Sequence, residues 1–467
     1  MKLNKFIFVA LAAASISSCG VYKNYERPAE INAEGIFGDA QDGSRSMGEL
    51  KWREVFTDPT LQALIEKGLA QNSNIRQTDL RIQQAQNSLK AAKLAFAPSL
   101  AFSPSGTVSG GWDPYNRDEF KDALGGGAVK TYAFPVAVSW QIDCFGSLRN
   151  AKKKSEVAVQ NMKYVRQAVE TALVANIASM YYSLAMMDEQ LAIATQTCET
   201  WKKNLEVTKK LMEAGQSNKA AVASTEANYW NISTSVVDLK HGIKEVENIL
   251  SALIGEHPGH ISRQALATFQ TPTVCTTGLP INLLERRPDV KQAEMALASA
   301  FYGKNMAKAA FFPALNLSGQ GQYTNSISGL GVENPGGIIA AAVASITQPL
   351  FAQGKLRANY KNSKAEIEIA TIGFQQTLLD AGKEVNTALA AVHVAKAKKE
   401  LLANQVNSLK EAVDATEKLM KLSSTNYLQV LTAQSSLLGA QLNEVANNYN
   451  IVSSTINLYQ ALGGGTE

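Results

Sequence analysis

A run of about 70 residues without a proline, from Gly146 to Gly215, constrains this chain more than any other stretch, because at a helical rise of about 1.5 Å per residue it makes a rod roughly 100 Å long. Within it Leu173, Ile177, Met180, Leu184, Met187, Leu191, Ala194, Cys198, Trp201, Leu205, Thr208 and Met212 recur at steps of three and four, the spacing of a heptad seam. No single globular domain needs such a rod. Gly215-Gln216-Ser217-Asn218 reads as a tight reversal, and Val222, Thr225, Tyr229, Ile232, Val236, Leu239, Ile243, Val246, Leu250 and Leu253 form a matching stripe on the way back. Together they predict an antiparallel helical hairpin over 146–255.

The plan occurs twice. Gly146-Ser147-Leu148-Arg149 matches Gly354-Lys355-Leu356-Arg357 at an offset of 208, and the same offset carries Glu226 to Gln434 and Gly255 to Gly463. The second rod has Val385, Ala388, Val392, Ala395, Leu402, Val406, Leu409, Val413 and Met420 on its seam, and its return helix carries Leu428, Leu431, Ser435, Leu438, Leu442, Val445, Tyr449, Val452, Ile456 and Tyr459. A constant offset means no insertion between the two hairpins, as expected if both must reach the same depth. Upstream of each, an alanine-rich helix ends at a proline: Phe96-Ala97-Pro98-Ser99-Leu100 is echoed by Phe311-Phe312-Pro313-Ala314-Leu315.

After each of these prolines the period changes from 3.6 to 2. Tyr132, Phe134, Val136, Val138, Trp140 and Ile142 alternate with small or polar residues, and Leu315, Leu317, Gly319, Gly321 and Tyr323 alternate with Asn316, Ser318, Gln320, Gln322 and Thr324. Strands are expected at about 99–111, 131–143, 314–325 and 338–348. An apolar face opposed to a polar one fits a transmembrane barrel, with lipid outside and water inside. After the leader no run of 18 or more apolar residues is present to supply a transmembrane helix. Four strands cannot close a barrel, whose smallest membrane examples need about eight, and an open edge is not viable in lipid. The chain must therefore oligomerise, through two copies or three.

The first 18 residues read as a signal peptide, with Lys2 and Lys5 before an apolar Phe6–Ala14 stretch. Ile16-Ser17-Ser18-Cys19 resembles a bacterial lipobox, which implies lipidation of Cys19, and Gly20 next to it suits sorting to the outer membrane. Residues 19–57 form an arm, 58–255 the first repeat, 256–287 a connector, 288–463 the second repeat with its hairpin over 354–462, and 464–467 a tail. A net charge of +4, reduced to +2 once Lys2 and Lys5 leave with the leader, gives no case for nucleic acid. Beyond Cys19 only Cys144, Cys198 and Cys275 remain, an odd number that argues against a disulfide framework.

In combination the Asp58-Pro59-x-Leu61 start, Arg286-Arg287-Pro288-Asp289, the Phe-Phe-Pro before a strand, Gln348-Pro349-Leu350-Phe351 and the terminal Ala461-Leu462-Gly463-Gly464 resemble the TolC-like outer membrane factors, in particular the lipoprotein branch serving resistance-nodulation-division efflux pumps. The resemblance covers nearly the whole mature chain. It implies a mainly helical fold with a transmembrane β-barrel: a homotrimer whose 12-stranded barrel in the outer membrane continues as a helical tunnel across the periplasm, docked to a periplasmic adaptor and an inner-membrane pump. It implies an adaptor-contact tip at Leu211, Met212, Glu213, Ala214 and Gly215. Relatives often carry an acid and an arginine in the run that here reads Leu428-Gln429-Val430-Leu431-Thr432-Ala433-Gln434-Ser435; Thr432 and Ser435 stand in their places, so no charged latch carries over. Leu428, Thr432 and Ser435 are constriction candidates by position, with hairpin packing as their other reading.

No converging set of acid, base and nucleophile suggests an enzyme. Glu256-His257-Pro258-Gly259-His260 is the only cluster of metal-ligand residue types; it lies in a Pro/Gly turn and reads as a solvated loop, so neither metal nor cofactor is expected. The function expected is passive conduction of small molecules from pump and adaptor to the outside. The alternatives are an exit duct for type I protein secretion and a non-conducting coiled-coil scaffold, the latter disfavoured by the amphipathic strands.

Overall fold

The computed structural model describes residues 24–27, 47, 50–109, 129–269, 286–328, 331–332, 337–421 and 427–464. The chain divides into two compact units: Met1–Pro28, Ile82–Asn161 and Glu294–Gly373 form the first, and Ala29–Arg81, Met162–Ala293 and Phe374–Glu467 the second. In chain order the elements are α1 (Trp52–Val55), α2 (Pro59–Gln71), α3 (Ser73–Leu94), β1 (Ser99–Phe102), β2 (Ser105–Ser109), β3 (Val129–Ile142), α4 (Ser147–Glu213), α5 (Lys219–Leu253), α6 (Pro288–Ala309), β4 (Ala314–Ser328), β5 (Gly331–Val332), β6 (Gly337–Thr347), α7 (Lys355–Lys421) and α8 (Tyr427–Ala461), with a short 3₁₀ turn at Leu266–Thr268.

The duplication read from the sequence holds to the residue. The rods α4 and α7 have 67 residues each, the return helices α5 and α8 have 35 each, and every boundary of the second pair lies 208 residues after the first. Backbone conformation repeats with them: Gly146 and Gly354 have φ of 75° and 78°, Gly255 and Gly463 78° and 75°. Only glycine adopts this region without strain, which explains why it ends both return helices. In the stretch before the strands the offset is 215. Ala97 N–H donates to the Leu94 carbonyl at 2.9 Å and Phe312 N–H to that of Ala309 at 3.0 Å, so both helices tighten and stop four residues ahead of Pro98 and Pro313. This is earlier than the sequence suggested for the first helix, because a proline drives its predecessor out of helical backbone.

In the first unit the strands form one antiparallel sheet. The two hairpins are joined through β3 and β4, in register from Lys130↔Ile327 to Ile142↔Leu315. β1 and β2 are one strand in a single register on β3, interrupted at Ser103 and Pro104. Ser103 stands opposite Pro135, which has no N–H to return, so the Ser103 N–H to the Pro135 carbonyl, 3.3 Å, is the bond at this gap. The strand expected at about 99–111 is thus two segments ending at Ser109, and 110–111 lie outside the described residues. At the strand-to-helix junction Asp143 accepts from the N–H groups of Leu148 at 3.0 Å and Arg149 at 2.9 Å, capping α4 with an acid where the helix dipole favours one. Trp140 Nε1 donates to the Phe96 carbonyl at 2.9 Å, and Phe145 stacks on Phe312 with centroids 4.9 Å apart.

The second unit holds the core. Phe56, Leu61, Ile65, Ile177, Tyr181, Leu184, Leu250, Ile254, Ile456 and Tyr459 pack in one buried cluster, at about 1.5–3 kcal/mol for each large aliphatic or phenylalanine side chain removed from water. The α4 seam read from the sequence faces inward from Leu173 to Thr208 and ends at exposed Met212. Asp58 caps α2 by accepting from the Thr60 N–H at 2.8 Å and also accepts from the Tyr181 hydroxyl. A smaller cluster, Trp201 with Ile232 and Leu431, continues the packing.

Candidate functional site

The registers sort the sheet residues onto two faces. Leu100, Phe102, Val108, Tyr132, Phe134, Val136, Val138, Trp140, Leu315, Leu317, Tyr323, Ile338 and Ile346 share one face; Ser99, Ser105, Thr107, Thr131, Ser139, Gln141, Asn316, Ser318, Gln320, Gln322, Thr324 and Ser345 share the other, where Ile339 and Val343 are exceptions. The apolar face is exposed in the single chain, up to 83% at Ile338. One side suits lipid and the other water. Among the described residues no helix is long and apolar enough to cross a membrane, and no group of His, Cys, Asp and Glu could hold a metal.

At the first helical turn α4 closes with the Gln216 N–H donating to the Leu211 carbonyl at 2.8 Å, Gly215 at φ 73° and the Asn218 side chain accepting from the Ala221 N–H at 2.8 Å. Leu211 is half-buried, whereas Met212, Glu213, Ala214 and Gly215 are exposed. The second turn, 422–426, lies outside the described residues, as does Cys19. On α8 the chain departs from the stripe read in the sequence. Leu431 is buried as expected, but Leu428, at 54%, and Ser435 are exposed. Val430 and Gln434 turn inward with Leu431, and Gln434 bonds Asn204 and Glu417 at 2.9 Å each. Leu428, Thr432 and Ser435 therefore share an outward stripe, with the Thr432 hydroxyl satisfied by the Leu428 carbonyl at 2.9 Å.

Two charged clamps went unread. Arg263 donates to Asp188 at 2.7 Å and Glu247 at 2.8 Å, with Arg263 and Glu247 side chains almost fully buried. His260, from the presumed solvated loop, keeps its ring exposed but sets Nδ1 2.8 Å from Glu247. Burial pushes the Glu247 carboxyl up; hydrogen bonds from Arg263, His260 and the Ile261 N–H, with the Arg263 charge, outweigh it and hold the carboxyl below its ordinary value. Arg287 donates to the Ala461 carbonyl at 2.8 Å and to Glu384 at 2.7 Å, and pairs with Asp289. Its equivalent 215 residues earlier is Asn72, whose amide donates to the Leu253 carbonyl at 2.8 Å. Leu253 and Ala461 are 208 apart, so each repeat caps the last carbonyl of its return helix from the residue before α3 or α6. The 215 offset, once noticed in Pro98 and Pro313, points to this pair.

The Cys198 sulfur lies 3.3 Å from the Ser233 hydroxyl on the half-buried seam, and Met187, on the same seam, packs against the core cluster.

Comparison with known proteins agrees with this geometry. The family model described as "Outer membrane efflux protein" matches residues 64–256 and 279–464. The toluene efflux pump outer membrane protein TtgC of Pseudomonas putida is 25% identical, covering 98% of this chain and 95% of that protein. The cation efflux system protein CusC of Escherichia coli K12 is also 25% identical, covering 97% and 98%. Among solved structures, the open state of the Neisseria gonorrhoeae MtrE outer membrane channel superposes with a TM-score of 0.81 at 24% identity, over 96% of this chain and 98% of that one. A duplicated sheet-and-hairpin plan, an amphipathic sheet and a match over most of the chain lead to one conclusion: this chain belongs to the outer membrane efflux protein family, as a TolC-like, non-enzymatic outer membrane channel that extends into the periplasm.

Proposed function

We propose that the chain is the exit duct of a tripartite efflux system, a homotrimer that passively conducts small molecules delivered by an inner-membrane pump of the resistance-nodulation-division type through a periplasmic adaptor. The observation that supports this reading is an amphipathic sheet whose two outer edges lack a partner strand among the described residues and whose strands lead in sequence into hairpins of equal length. Three copies supply twelve strands, enough for a barrel with a lumen. A non-conducting stalk has no use for a lipid face. Relatives at equal identity are named for toluene and cation efflux, so a duct for small solutes is the common denominator.

Cys19 supplies the lipid anchor. Asn24 to Arg27 dock on the first unit, through Asn24 on Lys153, Tyr25 against Phe301 with centroids 5.8 Å apart, and Arg27 on Glu294 at 2.7 Å. Five residues of chain reach at most about 18 Å, so the acyl chains stay near that docking site. Met212 to Gly215 are the exposed part of the adaptor tip, and Leu428, Thr432 and Ser435 are the uncharged constriction.

Deleting the gene tests the reading: sensitivity to small toxic compounds is expected, and unchanged susceptibility together with loss of a secreted protein would favour protein export instead. Single-channel conductance of Leu428→Ser addresses the constriction. A larger conductance with an unchanged melting temperature is expected; a lower melting temperature with unchanged conductance makes Leu428 a packing residue.

A further inference from the structure

Acids and bases nearly balance over the chain, but not where its helices meet the sheet. The ten helical residues nearest the strands on each of α3, α4, α6 and α7, namely 85–94, 147–156, 300–309 and 355–364, hold twelve Lys and Arg against one acid, Glu156, while the whole chain carries 45 against 41. All four segments belong to the first unit. The cations nearest the sheet, Lys93, Arg149, Lys308 and Lys355, stand six to eight residues along the chain from a strand end. We propose that this collar binds the anionic headgroups of phospholipid in the periplasmic leaflet of the outer membrane, around a core site of Lys153, Lys154 and Lys304. The collar's level follows from the outer membrane channel fold, and the choice of core rests on the lipid-anchor reading of Cys19 above.

Helix electrostatics account for only part of the collar. Lys93 and Lys308 lie in the last turns of α3 and α6, where the helix dipole favours a cation. α4 and α7 begin at the sheet, so their first turns favour acids; neither has one there, and their opening segments carry eight cations. Asp143 answers Arg149 at 3.3 Å and Glu156 answers Lys152 at 3.7 Å. No acid on these segments answers the other six, and Lys355 and Arg357 sit in the first turn of α7 itself. Local conflict of this kind is characteristic of functional surfaces.

Lys153, Lys154 and Lys304 converge on residues 301–304 of α6. Lys153 lies over the Tyr302 ring at 5.9 Å and Lys304 over that of Phe301 at 4.9 Å, and the two rings meet edge to face with centroids 5.5 Å apart. The Lys154 Nζ lies 3.7 Å from where a Cβ would stand on Gly303. The rings place the ammonium groups without neutralising them, which leaves N–H donors for a phosphate. Tyr25 packs against Phe301 and Lys153 donates to Asn24, so this is the face along which the arm runs back to Cys19, at most about 18 Å away. The headgroup layer is about 5–8 Å deep and attraction persists over a screening length of about 8 Å, so cations within about 15 Å of helix from the sheet reach it. Clusters of about four to eight Lys and Arg beside a membrane-spanning segment bind anionic headgroups in this way.

The test is native mass spectrometry of delipidated full-length protein in detergent, titrated with phosphatidylglycerol or with phosphatidylcholine of the same acyl chains. Wild-type protein should retain phosphatidylglycerol in preference, and added ammonium acetate should erode that preference. The triple variant Lys153→Gln, Lys154→Gln, Lys304→Gln should lose on the order of tenfold or more of it. The charge-keeping Lys153→Arg, Lys154→Arg, Lys304→Arg should retain it, as should Lys202→Gln, Lys203→Gln, Lys209→Gln towards the far end of α4. Equal retention of the two lipids by wild-type protein overturns the proposal. A preference that survives the first variant, or falls equally in the last, overturns the site. Intact mass of the same sample separates this from the anchor: an unacylated chain that keeps the preference overturns the Cys19 reading alone, and an acylated chain without it overturns the collar alone.

Discussion

The two repeats share a backbone and differ in what holds it. Where the first buries Glu247 against Arg263, the equivalent position 208 residues on is Thr455, equally buried, whose hydroxyl bonds the Ile451 carbonyl of its own helix at 2.7 Å. Where the first caps its return helix with a neutral Asn72, the second uses the cation Arg287. Where the first caps its rod with Asp143, the second has Phe351, 85% exposed beside exposed Leu350. Geometry was kept through duplication and chemistry was not. Each hairpin must match the other in length and register, which fixes the backbone, whereas a carbonyl or a helix end accepts any group that satisfies it.

Breaking these differences one at a time gives a graded series. Glu247→Ala leaves the buried Arg263 guanidinium with half-exposed Asp188 and the Ile261 carbonyl, and should cost about 3 kcal/mol in denaturant unfolding, while Thr455→Ala costs about 1. The same contrast appears in acid. Because the folded carboxyl of Glu247 lies below its unfolded value, its contribution is complete above the ordinary glutamate range and fades as pH falls through the lowered folded value. Glu247→Gln should flatten that acid limb, read as melting temperature against pH, and Thr455→Ala should leave its slope unchanged.

Arg287→Ala comes next, at about 2–3 kcal/mol, lost mainly from the charged bond to the buried Ala461 carbonyl because half-exposed Asp289 and Glu384 recover water. Asn72→Ala, its counterpart, should cost about 1–2 kcal/mol on the same unfolding scale. Phe351→Ser should change unfolding by less than about 0.5 kcal/mol, as an exposed side chain should, and should instead lower the yield of multi-copy particle on size-exclusion chromatography.

Much of the fold is legible in sequence because its signals are local. Heptad steps gave both hairpins, alternation gave the strands, and a fixed offset gave the duplication. The pairing of β3 with β4 was not legible, since register between distant strands leaves no local period. Leu428 and Ser435 show the same limit at the site: periodicity marks a stripe, but a long helix has a second face, and only Val430, Leu431 and Gln434 turning inward decides which packs. The Arg287 cap stood in a recognisable motif, yet its partner is a carbonyl 174 residues away, and backbone groups carry no sequence signature.

We propose that the four amphipathic strands, whose outer edges lack a partner strand among the described residues, close through copies of the same chain, three in number. Native mass spectrometry of the particle extracted from membranes tests it most directly. Three times the mass of the mature lipidated chain is the predicted result; a particle of one or two chains that still conducts would contradict the account.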